Sequence, residues 1–220
     1  MINLLIADDH PLYRDALRGA LTTHIDDVNI QEASNMSQAM AVLGDDSDID
    51  LLLLDLHMPG SQDLFGLIHI RKTFPDLPVA VVSGTENANI IGKIIDIGAL
   101  GFVPKTTDAA TIAKAIQTMV EGDVWLPESF HSDMSDDEQD SEFSELADKV
   151  ATLTPAQYKV LCMLRDGLLN KQIGYNLGIA EKTVKAHITS IFRKLGISNR
   201  TQAVIIATQL QLEAPVSDQG

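Results

Sequence analysis

Four consecutive leucines, Leu51–Leu54, run straight into Asp55, and a Pro59-Gly60 turn follows. A short apolar run bounded by a turn signal is the pattern of a strand buried on both faces, as the strands of parallel sheets are. Such a strand needs helices above and below it, which narrows the chain to an α/β layer architecture. In open α/β sheets the chemistry gathers at the carboxyl ends of the strands. Asp55 therefore stands where a reactive group would be used. By itself it is equally the last residue of a strand entering a loop, so the other strand ends must decide.

The alternation continues on both sides. Residues 1–7, 28–33, 50–55, 79–82 and 100–103 read as strands, the second partly polar and so expected at an edge. Helical spacing follows Pro11, begins again at Ser34, and covers 63–74, 87–97 and 108–121. Five βα units imply a parallel sheet, and right-handed crossovers bring every strand's carboxyl end to one edge. The residues at those ends are Asp8 and Asp9, Asp55, Ser83 and Thr85, and Lys105. Crowded carboxylates repel one another, and a divalent cation removes that conflict. Oxygen ligands suit Mg²⁺, which commonly takes one or two carboxylates plus a phosphate. Beside it, Asp55 can attack a phosphoryl group as a nucleophile. Lys105 and the Ser83 hydroxyl would stabilise charge on the transferring group.

At this point residues 1–122 are seen to resemble the receiver domain of bacterial two-component response regulators. The resemblance rests on the Asp8-Asp9 pair, Asp55 in Leu-Asp-Leu-His-Met-Pro-Gly, Ser83 after Val-Ala-Val-Val, and Gly101-Phe102-Val103-Pro104-Lys105. It implies that Asp55 is the phosphorylated residue. It implies that Mg²⁺ is held by Asp9 and Asp55, with Asp8 alongside and the backbone carbonyl of His57 completing the set. It further implies that Ser83 moves toward the phosphoryl group and that Phe102 is a switch aromatic, turning inward when Ser83 moves. His57 and Thr85 would flank the acceptor and influence how long the phosphate survives.

Charge divides the chain. Residues 1–130 carry a net charge of −12 and residues 131–150 a net of −7, whereas residues 151–220 carry +4. The balance of the whole, −15, argues against nucleic acid, but the basic end argues for it locally. Residues 123–150 are expected to be an acidic flexible linker, with Ser, Asp and Glu dominating 132–145. The single cysteine, Cys162, excludes an intramolecular disulfide and a Cys-based zinc site. No apolar run approaches the roughly 18 residues of a membrane span, and the opening run is too short for a signal segment, so a cytoplasmic protein without a membrane partner is expected.

Beyond the linker, Thr154-Pro155 starts a helix that Gly167 closes. Asn170 opens a short second helix, Gly178-Ile179-Ala180 is a tight turn, and a third helix spans 181–195. Short helix, tight turn and longer helix form the helix-turn-helix pattern. On the third helix Val184, Ile188, Ile191 and Leu195 recur on one side, while Lys182, Lys185, Ala186, Thr189 and Arg193 lie on the other. A basic, short-chained outer face suits a major groove. Residues 151–210 resemble the DNA-binding domain of NarL/FixJ/LuxR-type regulators through Leu153-Thr154-Pro155, Asn170-Lys171-Gln172-Ile173, Thr183-Val184-Lys185-Ala186-His187, Lys194-Leu195 and Arg200-Thr201-Gln202-Ala203. That resemblance adds Asn170, Lys171 and Thr183 to the expected DNA contacts. Five positions depart from it. Ala156, Gln157 and Lys159 stand where Arg and Glu are usual, so a familiar ion pair is expected to be missing; Gly174 replaces Ala, and Ala180 replaces a Ser or Thr cap, a change worth about 1 kcal/mol of helix stability.

The expected organisation is a doubly wound five-stranded flavodoxin-like receiver over 1–122, the linker over 123–150, an all-α four-helix helix-turn-helix domain over 151–212, and a disordered tail over 213–220. The last helix, 199–212, is apolar on more than one side, and Ala203, Ile206, Ala207 and Leu210 are expected as a dimer contact. The function expected is a transcription factor controlled by phosphorylation from a sensor histidine kinase or other phosphodonor, acting on promoter DNA as a homodimer. The alternative is a regulator whose receiver answers to a small ligand or protein partner. A third reading, an aspartyl-phosphate hydrolase, would want an acid two residues after the nucleophile, where this chain has His57; an enzyme is therefore not expected.

Overall fold

The computed structural model describes residues 1–45, 48–61, 63–84, 87–130 and 139–210. The chain divides into two compact units, with the boundary between Asp140 and Ser141. In the first, strands β1 (Ile2–Ala7), β2 (Val28–Ala33), β3 (Leu51–Leu54), β4 (Val79–Ser83) and β5 (Gly101–Pro104) alternate with helices α1 (Pro11–His24), α2 (Met36–Gly44), α3 (Phe65–Thr73), α4 (Ala88–Asp96) and α5 (Ala109–Val120). All strand pairs are parallel, in the order β2-β1-β3-β4-β5. This is the doubly wound receiver arrangement expected, with the partly polar β2 at an edge.

The leucine run behaves as its composition requires. Leu51, Leu52, Leu53 and Leu54 are all buried, as are Leu4, Leu5 and Ile6 beside them in β1. Each such side chain contributes roughly 1.5–3 kcal/mol by leaving water. The strand order reverses between β1 and β3, which opens a crevice at their carboxyl ends. Register then aligns the polar strand ends. Ala7 pairs with Leu54 and Ser83 with Pro104. Backbone bonds extend both ladders by one residue, from Asp55 N–H to the Ala7 carbonyl at 2.8 Å and from Lys105 N–H to the Ser83 carbonyl at 2.8 Å.

The far edge of the sheet is covered by the chain leaving α5. Trp125 donates its N–H to Leu100 and accepts from Phe102 N–H. A Cβ at position 101 would lie 2.6 Å from the Trp125 carbonyl oxygen, so Gly101 is what lets the two backbones meet. Leu126 beside them is buried.

The second unit holds α6 (Gln139–Ala151), α7 (Pro155–Arg165), α8 (Asn170–Leu177), α9 (Glu181–Leu195) and α10 (Arg200–Gln209). Two expectations are corrected here. The segment 123–150, expected to be a flexible linker, contains all but the last residue of the 13-residue helix α6. Phe143, Leu146, Ala147 and Val150 recur at helical spacing, and Ala147 and Val150 are buried; the acids between them sit on the solvent side. The four-helix domain thus gains a fifth helix. Secondly, Ala203, Ala207 and Leu210 cannot form a dimer contact, because they are 0%, 3% and 0% exposed. They are the inner face of α10, which packs on α7, and Ile206 is half-buried beside them. The outward apolar residue of α10 is Ile205. The acidic stretch 131–138 and the expected tail, 213–220, lie outside the described residues, as does Thr85. Among the described residues no helix is long and apolar enough to cross a membrane.

Candidate functional site

Three strand ends converge on one polar cluster. Asp8 and Asp55 are each 2% exposed, while the Asp9 carboxylate is 31% exposed and reaches solvent. Lys105, from the end of β5, places Nζ 2.7 Å from Asp8 Oδ2 and 2.9 Å from Asp55 Oδ2. Burial works against the charge on Lys105, but hydrogen bonds and attraction from Asp8 and Asp55 outweigh it, and its pKa lies above the ordinary lysine value. Ser83 is buried at the end of β4. The backbone N–H of His57 donates to Asp55 Oδ1 at 3.1 Å, fixing one carboxylate oxygen and leaving the other toward Lys105.

Helix α1 contributes groups that the strand pattern did not reveal. His10, its N-cap, makes no side-chain cap. Its Nδ1 instead lies 2.9 Å from Asp9 and 3.1 Å from Asp8. Arg14 donates from Nη1 to the Asp8 carbonyl at 2.7 Å and pairs with Glu32 at 3.1 Å, tying the end of β1 to β2. Tyr13 lies with its ring centroid 4.9 Å from Lys105 Nζ. The available signal was positional: the first turn of a helix that follows an acidic strand end faces the same crevice.

Asp8, Asp9, His10 and Asp55 bring ligand atoms within 4.8 Å of one another. Three of the four are carboxylates, hard oxygen donors, and that set fits a divalent metal ion. Phe102 is fully buried in β5. Its ring already occupies an inward position, so packing alone accounts for its burial here.

The second cluster lies on the helical unit. Val184, Ile191 and Leu195 are buried and Ile188 is half-buried, while Lys182, Thr183, Lys185, Ala186, Thr189 and Arg193 are exposed. The two faces divide as their spacing predicts. Lys171 on α8 is exposed and Asn170, its first residue, is half-buried. Lys185 pairs with Glu181 at 2.9 Å across one turn. The turn between α8 and α9 is tight because Gly174 lets the Ile179 carbonyl approach; a Cβ there would lie 2.7 Å from that oxygen. Ala180 precedes α9 without a side-chain cap. Where an ion pair is usual, Gln157 makes a network of hydrogen bonds. It caps α7 reciprocally with Thr154, accepts from Lys194 Nζ at 2.8 Å and donates to Ser190 Oγ at 3.1 Å. Lys194 and Ser190 thereby hold α9 against the start of α7.

Comparison with known proteins covers both clusters. Residues 4–117 match the response regulator receiver domain, and residues 151–207 match the bacterial regulatory proteins of the luxR family. The chain is 38% identical to a glycerol metabolism activator of Pseudomonas putida, over 97% of this chain and 98% of that protein. It is 32% identical to the nitrate/nitrite response regulator NarP of Escherichia coli, over 94% of each. Among solved structures it is similar to RcsB in complex with DNA, with a TM-score of 0.56 at 27% identity, covering 96% of this chain and 99% of that one. The same TM-score, identity and coverage relate it to RcsB from Salmonella enterica serovar Typhimurium, bound to a promoter in the presence of the phosphomimetic BeF3⁻.

Proposed function

The chain belongs to the two-component response regulators that join a receiver domain to a LuxR-type DNA-binding domain, and from that premise we propose that phosphorylation of Asp55 governs its binding to promoter DNA. The observation that carries this reading is the convergence of Asp8, Asp55 and Lys105 at a crevice of the sheet, with the Lys105 ammonium shared between the two carboxylates.

In this reading a carboxylate oxygen of Asp55 attacks the phosphorus of a donor, a sensor histidine kinase or a small phosphodonor, and the donor's leaving group departs with the electrons of the broken bond. Asp8, Asp9, Asp55 and the backbone carbonyl of His57 would hold Mg²⁺, which when bound offsets the charge of the transferring group. Both oxygens of Asp55 are hydrogen-bonded, Oδ1 to the His57 backbone and Oδ2 to the Lys105 side chain; Oδ2 is the one whose partner can move away, so attack uses it. Lys105 then turns its ammonium from Asp55 to the new phosphoryl oxygens, and the Ser83 hydroxyl donates to them. Phe102, three residues before Lys105 on β5, would carry that shift to the sheet edge. The covalent product is a signal rather than a turned-over substrate, and the protein is a cytoplasmic regulator rather than an enzyme.

The surface that reads the signal is α9, with Lys182, Thr183, Lys185, Ala186, Thr189 and Arg193 toward the major groove and Asn170 and Lys171 toward the backbone. RcsB is described as dimers on DNA, and a homodimer is the arrangement we assign to this chain as well. A contact through α10 would use Ile205. The domain plan that goes with this function is a receiver to residue 122 and a DNA-binding domain from the end of α6 onward.

Incubation with a small phosphodonor and Mg²⁺, followed by intact-mass measurement, tests the acceptor. Wild-type protein should gain one phosphoryl group and Asp55→Asn none. A gain that survives Asp55→Asn, or no gain in wild type, would overturn the assignment.

A further inference from the structure

Tyr13 lies at the acceptor site, and the reaction above leaves it without a task. It lies on the third residue of α1. Its ring is partly buried and packs against the hydrophobic core to which Leu4, Ile6, Val103 and Ile112 belong, which restricts its movement. Lys105 Nζ sits 4.9 Å from the ring centroid, inside the range in which an ammonium is attracted to an aromatic face. The same ammonium is 2.7 Å from Asp8 and 2.9 Å from Asp55. Two carboxylates and a ring therefore surround it on separate sides.

The hydroxyl end of Tyr13 has a different character. Its oxygen is buried and has no hydrogen-bond partner among the described residues. Burial, and then the charges of Asp8 and Asp55, push its pKa well above the ordinary tyrosine range, so the phenol stays neutral. A buried hydroxyl without a partner is a cost in this arrangement rather than a source of attraction. What Tyr13 supplies is the ring.

We propose that Tyr13 is a positioning residue, whose ring is a cation–π shelf that holds the Lys105 ammonium beside Asp55 while its carboxylate partner changes to a phosphoryl group. The proposal rests on the reading of Asp55 as acceptor. Its physical content is that Lys105 must leave Asp55 Oδ2 as that oxygen becomes esterified, which leaves Asp8, at 2.7 Å, as its one remaining carboxylate partner of the two, and a lysine on a four-carbon stem held at a single point can still swing about it. The ring, held by the core and indifferent to the state of Asp55, supplies a constant attraction that restricts the ammonium to the site.

The test compares wild type with Tyr13→Phe, which keeps the ring, and Tyr13→Leu, which keeps only bulk. NMR of the lysine ε-methylene groups gives a direct reading, since a group over a ring face is shifted upfield. The Lys105 signal should be upfield in wild type and Tyr13→Phe and should lose that shift in Tyr13→Leu. With a small phosphodonor and saturating Mg²⁺, the rate of phosphoryl gain should fall about tenfold in Tyr13→Leu at unchanged half-saturating donor and be retained in Tyr13→Phe. An unshifted Lys105 in wild type, or equal rates in the Leu and Phe variants, would overturn the proposal. Loss of rate in Tyr13→Phe equal to that in Tyr13→Leu would also overturn it, by assigning the task to the hydroxyl. If wild type gains no phosphoryl group, the acceptor reading fails, and the NMR comparison still decides whether the shelf exists.

Discussion

Replacing Lys105 by Met should destabilise the receiver unit by about 3–5 kcal/mol in the absence of divalent cations, read by chemical denaturation of the full chain. The carboxylates of Asp8 and Asp55 are only 3% and 1% exposed, and the ammonium of Lys105 lies between them. Met fills the space of the stem but leaves two buried charges facing each other. Adding Mg²⁺ should restore much of the loss in the variant and have a smaller effect on wild type, because in the variant the ion replaces the missing positive charge. Adding Asp55→Asn to the variant should also recover stability, since it removes one of the two carboxylates. The two substitutions are therefore strongly non-additive in a double-mutant cycle. Simple additivity would mean that Lys105 and Asp55 do not share the site as described.

The sign with pH follows from the same contacts. The folded-state pKa of Lys105 lies above its unfolded value. Its contribution is therefore complete at pH values below the ordinary lysine pKa and is lost only as pH rises through the folded value. The difference between wild type and Lys105→Met should be flat through neutral pH and shrink in strong alkali.

The second large effect is expected on α9. Removing Lys182, Lys185 and Arg193 together by alanine should weaken binding to target DNA on the order of a hundredfold and reduce the dependence of log affinity on log salt by about 3. Lys182 and Arg193 should account for most of it, because Lys185 must first leave Glu181. Stability should change little, since the residues that hold α9 are Val184, Ile191 and Leu195 on its other face. A loss of affinity without a change in salt dependence would place these side chains away from the phosphates.

Much of this architecture is legible in the chain itself because its signals are periodic. Leu51–Leu54 can only be buried, and the βα alternation forces the ends of β1, β3, β4 and β5 to one edge. Asp8, Asp55, Ser83 and Lys105 come together on that argument alone. What escapes is contact between elements that pattern does not link. Tyr13 reads as one more large residue on an amphipathic helix, and nothing local connects it to Lys105. Which face of α10 is inward depends on where α7 lies, so spacing alone does not tell that the apolar side formed by Ala203, Ala207 and Leu210 is core rather than interface. In α6, acids interrupt Phe143, Leu146, Ala147 and Val150 closely enough that composition suggests a linker. Its helical spacing is present, but weighing it requires knowing that a neighbour will bury Ala147 and Val150.

The central claim is that Asp55 controls the DNA-binding surface. The affinity of the full-length protein for its target promoter, measured at fixed salt before and after treatment with a small phosphodonor and Mg²⁺, tests it directly. Wild type should change affinity on phosphorylation, with an oligomeric state that shifts in parallel, and Asp55→Asn should change in neither. An identical response in Asp55→Asn, or an unchanged affinity in fully phosphorylated wild type, would contradict it.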